Sequence, residues 1–133
     1  MSVVIDASTC VAALTDTSKA GLWAEKILSS PTLSAPQLIL IECSNILRRL
    51  NNSGKLDDNE VSAAYRDLLL LNIDLYPFNP LASRIWALRH NLTSYDAWHV
   101  ALAESLDCPM ATLDNRMTNA AGPLCKFLLL ESS

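Results

Sequence analysis

A chain of 133 residues that is 50% hydrophobic and 18% charged has enough apolar material for one buried core and too little charge to stay unfolded. Its net charge of −4 is the wrong sign for a protein that coats duplex nucleic acid, although divalent ions held by converging acids would add a positive field that a charge count omits. No apolar run approaches a membrane span, and Cys10, Cys43, Cys108 and Cys125 are scattered without a zinc-like spacing, so a cytoplasmic protein with reduced, mostly buried thiols is expected.

In chain order, Ser2-Val3-Val4-Ile5 is apolar without polar alternation, the pattern of a strand covered on both faces, and Asp6 ends it. A helix is expected from about Ser8 to Leu14. After the polar break Thr15-Asp16-Thr17-Ser18 a second runs to about Leu28, with Leu22, Trp23, Ile27 and Leu28 at helical spacing. Leu33-Ser34-Ala35 reads as a very short strand. Pro36 suits the first turn of a helix that continues to about Leu50 and stops at Asn51-Asn52-Ser53-Gly54. The next helix spans about Asp57 to Leu71, with acids in its first turn and Val61, Ala64, Tyr65 and Leu68 on one face.

Ile73 to Phe78 reads as a strand bounded by prolines, and Leu81 to His90 as a helix. Thr93-Ser94-Tyr95-Asp96 has the form of a capping box before a helix to about Leu106. Met110-Ala111-Thr112-Leu113 is a buried-type strand ending at Asp114, followed by a short helix or turn and a last strand from Phe127 to Leu130. Alternating strands and helices predict a parallel sheet with helices on both faces, and residues 1–133 show no repeat and no domain boundary. In such sheets ligands bind outside the carboxyl ends of the strands, where the strand order reverses. Asp6 and Asp114 both stand at predicted carboxyl ends.

Four acids attract notice, each with a plain alternative. Asp6 can cap the first helix, although Ser8 could do so equally well. Glu42 interrupts a strongly apolar helix between Leu38-Ile39-Leu40-Ile41 and Cys43, where a buried carboxylate needs a metal or a basic partner. Asp96 is the third helical residue after a Thr93 cap, and Asp114 can cap the short helix that follows. Clustered carboxylates have a chemical use: Mg²⁺ or Mn²⁺ bound between them removes their mutual repulsion, and oxygen-only ligands suit these hard ions. Neither histidine lies in a zinc-like motif.

These residues carry a resemblance. Val4-Ile5-Asp6-Ala7-Ser8, Glu42 with Asn45 three residues on, Tyr95-Asp96-Ala97-Trp98-His99-Val100-Ala101-Leu102-Ala103 and Ala111-Thr112-Leu113-Asp114-Asn115-Arg116 resemble the PIN-domain nucleases, most of all the VapC-type toxins of bacterial toxin–antitoxin pairs. The resemblance covers essentially the whole chain. It implies a three-layer α/β/α sandwich around a mainly parallel sheet of four or five strands. It also implies an Mg²⁺- or Mn²⁺-dependent endoribonuclease in which Asp6, Glu42, Asp96 and Asp114 bind metal, Ser8 and Thr112 support them, and Asn115 assists. Many members carry another acid or base near Asn115, so the amide here leaves the number of ions open. An antitoxin partner and a homodimer are implied as well.

Arg48, Arg49, Lys55, Arg84, Arg89 and Arg116 are candidates for contacts to the RNA backbone, against the plain reading of solvated surface charges. His99 follows Asp96 by three residues and is expected to be packed or hydrogen-bonded. Trp23, Trp86, Trp98 and Tyr65 are expected in core or interface packing more than in base stacking. An inactive PIN-fold scaffold is the competing reading, which the complete acidic quartet opposes. Aspartyl phosphotransfer is disfavoured because Ser8 stands where a second aspartate is needed, and three glycines make no phosphate-binding loop.

Overall fold

The computed structural model describes residues 1–131. Its elements are β1 (Ser2–Ile5), α1 (Ala7–Thr15), α2 (Lys19–Leu28), β2 (Thr32–Pro36), α3 (Ile39–Asn52), α4 (Asp58–Leu70), β3 (Ile73–Tyr76), a 3₁₀ turn (Asn79–Leu81), α5 (Ala82–Ala87), α6 (Ser94–Leu106), β4 (Met110–Ala111), α7 (Asn115–Thr118) and β5 (Phe127–Leu128). The five strands form one sheet in the order β3-β2-β1-β4-β5, and every pairing is parallel. From β1 the chain steps outward to β2 and β3, then returns to the other side of β1 for β4 and β5. The order therefore reverses beside β1, and the crevice at the carboxyl ends of β1 and β4 is the expected ligand position.

Alternation along β1 sorts the core into two layers. Val3 and Ile5 face one cluster with Cys10, Ile39, Leu47 and Leu68 from α1, α3 and α4. Val4 faces the other with Ile85, Trp98, Leu102 and Met110, from α5, α6 and β4. Each fully buried aliphatic side chain contributes about 1.5–3 kcal/mol relative to exposure. Burial of β1 on both faces explains its unbroken apolar run, and it fixes the backbone that delivers Asp6. The sandwich implied by the sequence is the fold observed.

Helix ends obey local chemistry. Asp57 and Glu60 form a complete capping box at the start of α4, with Glu60 N–H donating to Asp57 at 2.7 Å and Asp57 N–H to Glu60 at 3.1 Å. Gly21 lets α2 cross α1, because a Cβ there would overlap the Asp16 carbonyl.

Several boundaries differ from expectation. Pro36 is the last residue of β2, in register with Tyr76, and Gln37 N–H continues the ladder to the Tyr76 carbonyl at 2.9 Å. The helix therefore starts at Ile39. The expected helix from Leu81 to His90 is a 3₁₀ turn plus α5, and β4 and β5 each pair over only two residues. All four cysteines are free, Cys10 and Cys43 buried and Cys108 and Cys125 partly so. Among the described residues no helix is long and apolar enough to cross a membrane. Leu14, Trp23 and Ile27 pack against the core, whereas Leu22, Tyr65, Leu69 and Leu70 are exposed.

Candidate active site

Asp6 follows β1 and is buried at 6% exposure. Its Oδ1 accepts the Ser8 hydroxyl at 2.7 Å and Thr9 N–H at 3.0 Å, the second of which caps α1. Its Oδ2 accepts the hydroxyl of fully buried Thr112. Those hydroxyls also receive donors from the β4–α7 junction, Asp114 N–H on Thr112 at 2.9 Å and Leu113 N–H on Ser8 at 3.3 Å. Two short relays thus bind the junction after β1 to the junction after β4. The capping reading of Asp6 is correct, and its carboxylate is also held rigidly at the crevice.

Asp96 sits in the first turn of α6, where Thr93 accepts its backbone N–H at 3.2 Å. The return bond of a capping box, from Thr93 N–H to the Asp96 carboxylate, is absent among the described residues. Burial raises the Asp96 carboxyl above its ordinary value; the Asp114 and Asp6 charges add to this while His99 and Thr93 oppose it. Asp114 caps α7 by accepting Arg116 N–H at 3.0 Å and pairs with the Arg116 guanidinium at 3.3 Å, which lowers its carboxyl against a smaller opposing effect of burial. Glu42 lies partly buried in the first turn of α3.

The four acids share one electrostatic neighbourhood. Asp6, Asp96 and Glu42 all act on His99, and Asp6 and Asp114 both act on Asp96. Among the described residues, Asp6, Glu42 and Asp96 have no basic partner within ion-pair distance. Among the described residues, no three acid, histidine or cysteine side chains converge closely enough to enclose an ion as they stand. Like charges without a cation hold apart, and Asp114 is drawn to Arg116. The donor set nevertheless fits a hard divalent cation, because every free ligand is a carboxylate oxygen.

His99 is buried, its Nδ1 lies 2.9 Å from the Tyr95 carbonyl, and burial lowers its basicity. A carbonyl only accepts, so Nδ1 carries a proton. The expectation of a packed histidine is met. Trp98 is likewise in the core, edge-on to Phe78 at 5.4 Å, but Trp86 is 66% exposed, with the Arg89 guanidinium 4.6 Å over its ring.

The basic candidates separate. Arg48, Arg49, Lys55, Arg89 and Arg116 are exposed. Arg84 is not a free cation: it pairs with Glu104 at 2.6 Å and donates to the Gly122 carbonyl at 2.9 Å. Glu104 lies eight residues along α6 from Asp96, about 12 Å at a rise of about 1.5 Å per residue. Arg84 therefore braces the far end of that helix. Asn115, exposed, opens α7 directly after Asp114. Two features escaped sequence reasoning. The Arg116–Asp114 pair was visible in principle as a basic residue two positions after a cap. The buried Tyr95 hydroxyl and His99 Nε2, which have no hydrogen-bond partner among the described residues, had no sequence signal.

Comparison with known proteins bears on the family and the fold. The family model described as PIN domain matches residues 3–123. Ribonuclease VapC1 of Mycobacterium tuberculosis is 36% identical over 128 residues, covering 96% of either chain. Among solved structures, PAE2754 from Pyrobaculum aerophilum superposes with a TM-score of 0.67 at 22% identity, covering 88% of this chain and 77% of that one. VapBC2 from Rickettsia felis, solved bound to a DNA fragment from its promoter, also has a TM-score of 0.67, at 14% identity over 98% of this chain and all of that one.

Proposed function

The chain belongs to the PIN domain family, and from that membership we propose that it is a metal-dependent endoribonuclease and the toxin of a toxin–antitoxin pair, with residues 1–133 acting as one nuclease domain. The observation that carries the reading is the group of acids at the switch point. Asp6, Glu42 and Asp96 have no ion-pair partner among the described residues while their charges act together on His99, and a divalent cation would relieve that unbalanced charge.

Asp6, Glu42, Asp96 and Asp114 would hold the ion, Mg²⁺ or Mn²⁺. A bound ion of this kind supplies charge to a phosphodiester's oxygens and acidifies the attacking water. The protein's own work is positioning. Ser8 and Thr112 fix both oxygens of Asp6, so that carboxylate cannot rotate away, and Asp114 is tied to the same frame through its backbone. Asn115 stands beside Asp114 as a neutral donor to phosphate. Exposed Arg48 and Arg49 would meet the RNA backbone, Arg89 would do so from its place over Trp86, and Arg116 would exchange Asp114 for phosphate when the metal binds. The buried His99, tied by Nδ1 to the Tyr95 carbonyl, serves packing instead of proton transfer.

Exposed apolar side chains suit protein partners. Leu22 on α2 and Leu69 and Leu70 on α4 are all more than half exposed. They supply apolar surface for an antitoxin and a second copy of the chain. The test is incubation of the purified protein with single-stranded RNA and Mg²⁺ or Mn²⁺. Endonucleolytic products with 5′-phosphate and 3′-hydroxyl ends, abolished by chelation and by Asp96→Asn, are expected. Full cleavage by the Asp96→Asn protein, or none by the wild type with either ion, would overturn the reading in favour of an inactive scaffold.

A further inference from the structure

The amino ends of β4 and β5 lie at the sheet edge opposite the acids, and a cysteine stands two residues before the first paired position of each strand. Met110 is in register with Phe127 and Ala111 with Leu128, so counting back two positions on both strands sets Cys108 opposite Cys125. Two steps along a strand return a side chain to the same face, and both cysteines pack with Met110 and Phe127 in one apolar layer. One helix pins both segments. The Ala103 carbonyl of α6 accepts Cys108 N–H at 3.1 Å, and the carboxylate of neighbouring Glu104 accepts Leu124 N–H at 2.7 Å. Cys108 and Cys125 line one open cavity of about 510 Å³ together with Glu104, Asp107 and Lys126. Adjacent strands run about 4.8 Å apart, within the Cα separation of about 4.4–6.8 Å that a disulfide spans. Both thiols are free and only partly buried, whereas Cys10 and Cys43 are fully enclosed in the other layer. Among the described residues, no third acid, histidine or cysteine joins them closely enough to hold a metal ion.

We propose that Cys108 and Cys125 are a site of reversible oxidation, which closes to a disulfide by exchange with a small-molecule disulfide and staples β5 to β4. The Cys108 thiolate, favoured by Val4 N–H, attacks one sulfur of the reagent and expels a thiolate, leaving a mixed disulfide. The Cys125 sulfur then attacks the Cys108 sulfur and expels the second thiolate. The two protein sulfurs lose two electrons in all, the two reagent sulfurs gain them, and the two thiol protons leave on the reagent's thiols. Burial raises both thiols, Cys125 to about 11 with the charges of Glu104 and Cys108 adding to it. A sulfur that holds its proton so firmly attacks slowly but is also a poor leaving group, so the bridge once formed resists reduction. β5 pairs with β4 over only two residues, and the covalent link adds a restraint that this short ladder lacks. It also closes a loop that carries α7. None of this chemistry depends on the metal site.

The experiment incubates the reduced, folded full chain with excess oxidised glutathione, then reads intact mass, peptide maps and thermal unfolding. The wild type is expected to lose the mass of two hydrogen atoms and to yield a peptide pair joined through Cys108 and Cys125. Its Tm should rise by roughly 10 °C, as expected for a bridge closing a loop of this length, and dithiothreitol should reverse the change. Cys108→Ser and Cys125→Ser should each carry a single glutathione adduct on the remaining thiol, with no bridged peptide and no such rise. Wild-type protein that stays reduced, or that carries glutathione adducts without a bridged peptide, overturns the proposal. So does a bridge that includes Cys10 or Cys43, or one that forms only in urea, because the folded chain would then hold these two sulfurs apart. A bridge that lowers the Tm overturns it as well, since the strand ends would have to be pulled out of place to form it.

Discussion

Thr112→Val tests whether the hydroxyl relay holds the site together. The side chain is fully buried, donates to Asp6 Oδ2 and accepts Asp114 N–H at 2.9 Å. Valine matches its shape and removes both bonds. A hydrogen bond to a charged group contributes about 1.5–3 kcal/mol, and a buried N–H left without an acceptor costs about 1–3 kcal/mol. Asp6 keeps its bonds from Ser8 and Thr9, and the added methyl returns about 1 kcal/mol of apolar burial. The net expectation is a loss of about 3 kcal/mol, a fall of roughly 10 °C in Tm for a domain of this size. Thr112→Ser keeps the hydroxyl and loses a methyl, which costs about 1 kcal/mol. Thermal and urea denaturation of both variants in the metal-free state decide the matter. A valine variant that melts with the wild type, or above the serine variant, would refute the claim that Thr112 is the joint between the two strand ends.

Gly21→Ala should be among the most destabilising single-methyl additions in the chain, by about 3 kcal/mol or more, because its Cβ meets a backbone carbonyl that cannot move aside; urea midpoints measure it. Glu104 gives a pH-dependent prediction. Burial opposes its ionisation, but the Arg84 guanidinium and Leu124 N–H outweigh burial and hold the carboxyl below its ordinary value. A carboxyl depressed in the folded state contributes stability that is fully present above its unfolded value, about 4.3, and is lost as pH falls through the folded value. Glu104→Gln should therefore lose about 1 kcal/mol at neutral pH after solvent screening and show a shallower loss below about pH 4.3, while RNA cleavage is unchanged. Reduced cleavage in Glu104→Gln would return Arg84 to the substrate site.

Much of this arrangement was legible in the order of residues. The run Val3-Val4-Ile5 announces a strand buried on both faces, and Asp6 at its end falls where parallel sheets bind ligands. The capping readings of Asp6 and Asp114 hold, since each caps the helix that follows it. Thr93 caps α6 as its spacing implied. What stayed hidden depends on long-range pairing. The bond from Thr112 to Asp6 spans 106 positions and exists because β4 lies beside β1. The Arg84–Glu104 pair spans 20 positions and forms only once α5 packs on α6. Pro36, read as a helix opener, ends β2 instead, because it stands in register with Tyr76 of the partner strand β3. The unpartnered phenol of Tyr95 could not be read from any spacing, because it follows from which rings enclose it.

The claim that Asp6, Glu42, Asp96 and Asp114 form one metal-binding unit is tested most directly by a crystal structure of the protein grown with Mn²⁺ and measured for manganese anomalous scattering. The account predicts an anomalous peak at the carboxyl ends of β1 and β4, within bonding distance of Asp6 and Asp96, with Glu42 turned inward and Asp114 released from Arg116. Manganese at saturating concentration bound elsewhere, or no peak between these acids, would contradict it.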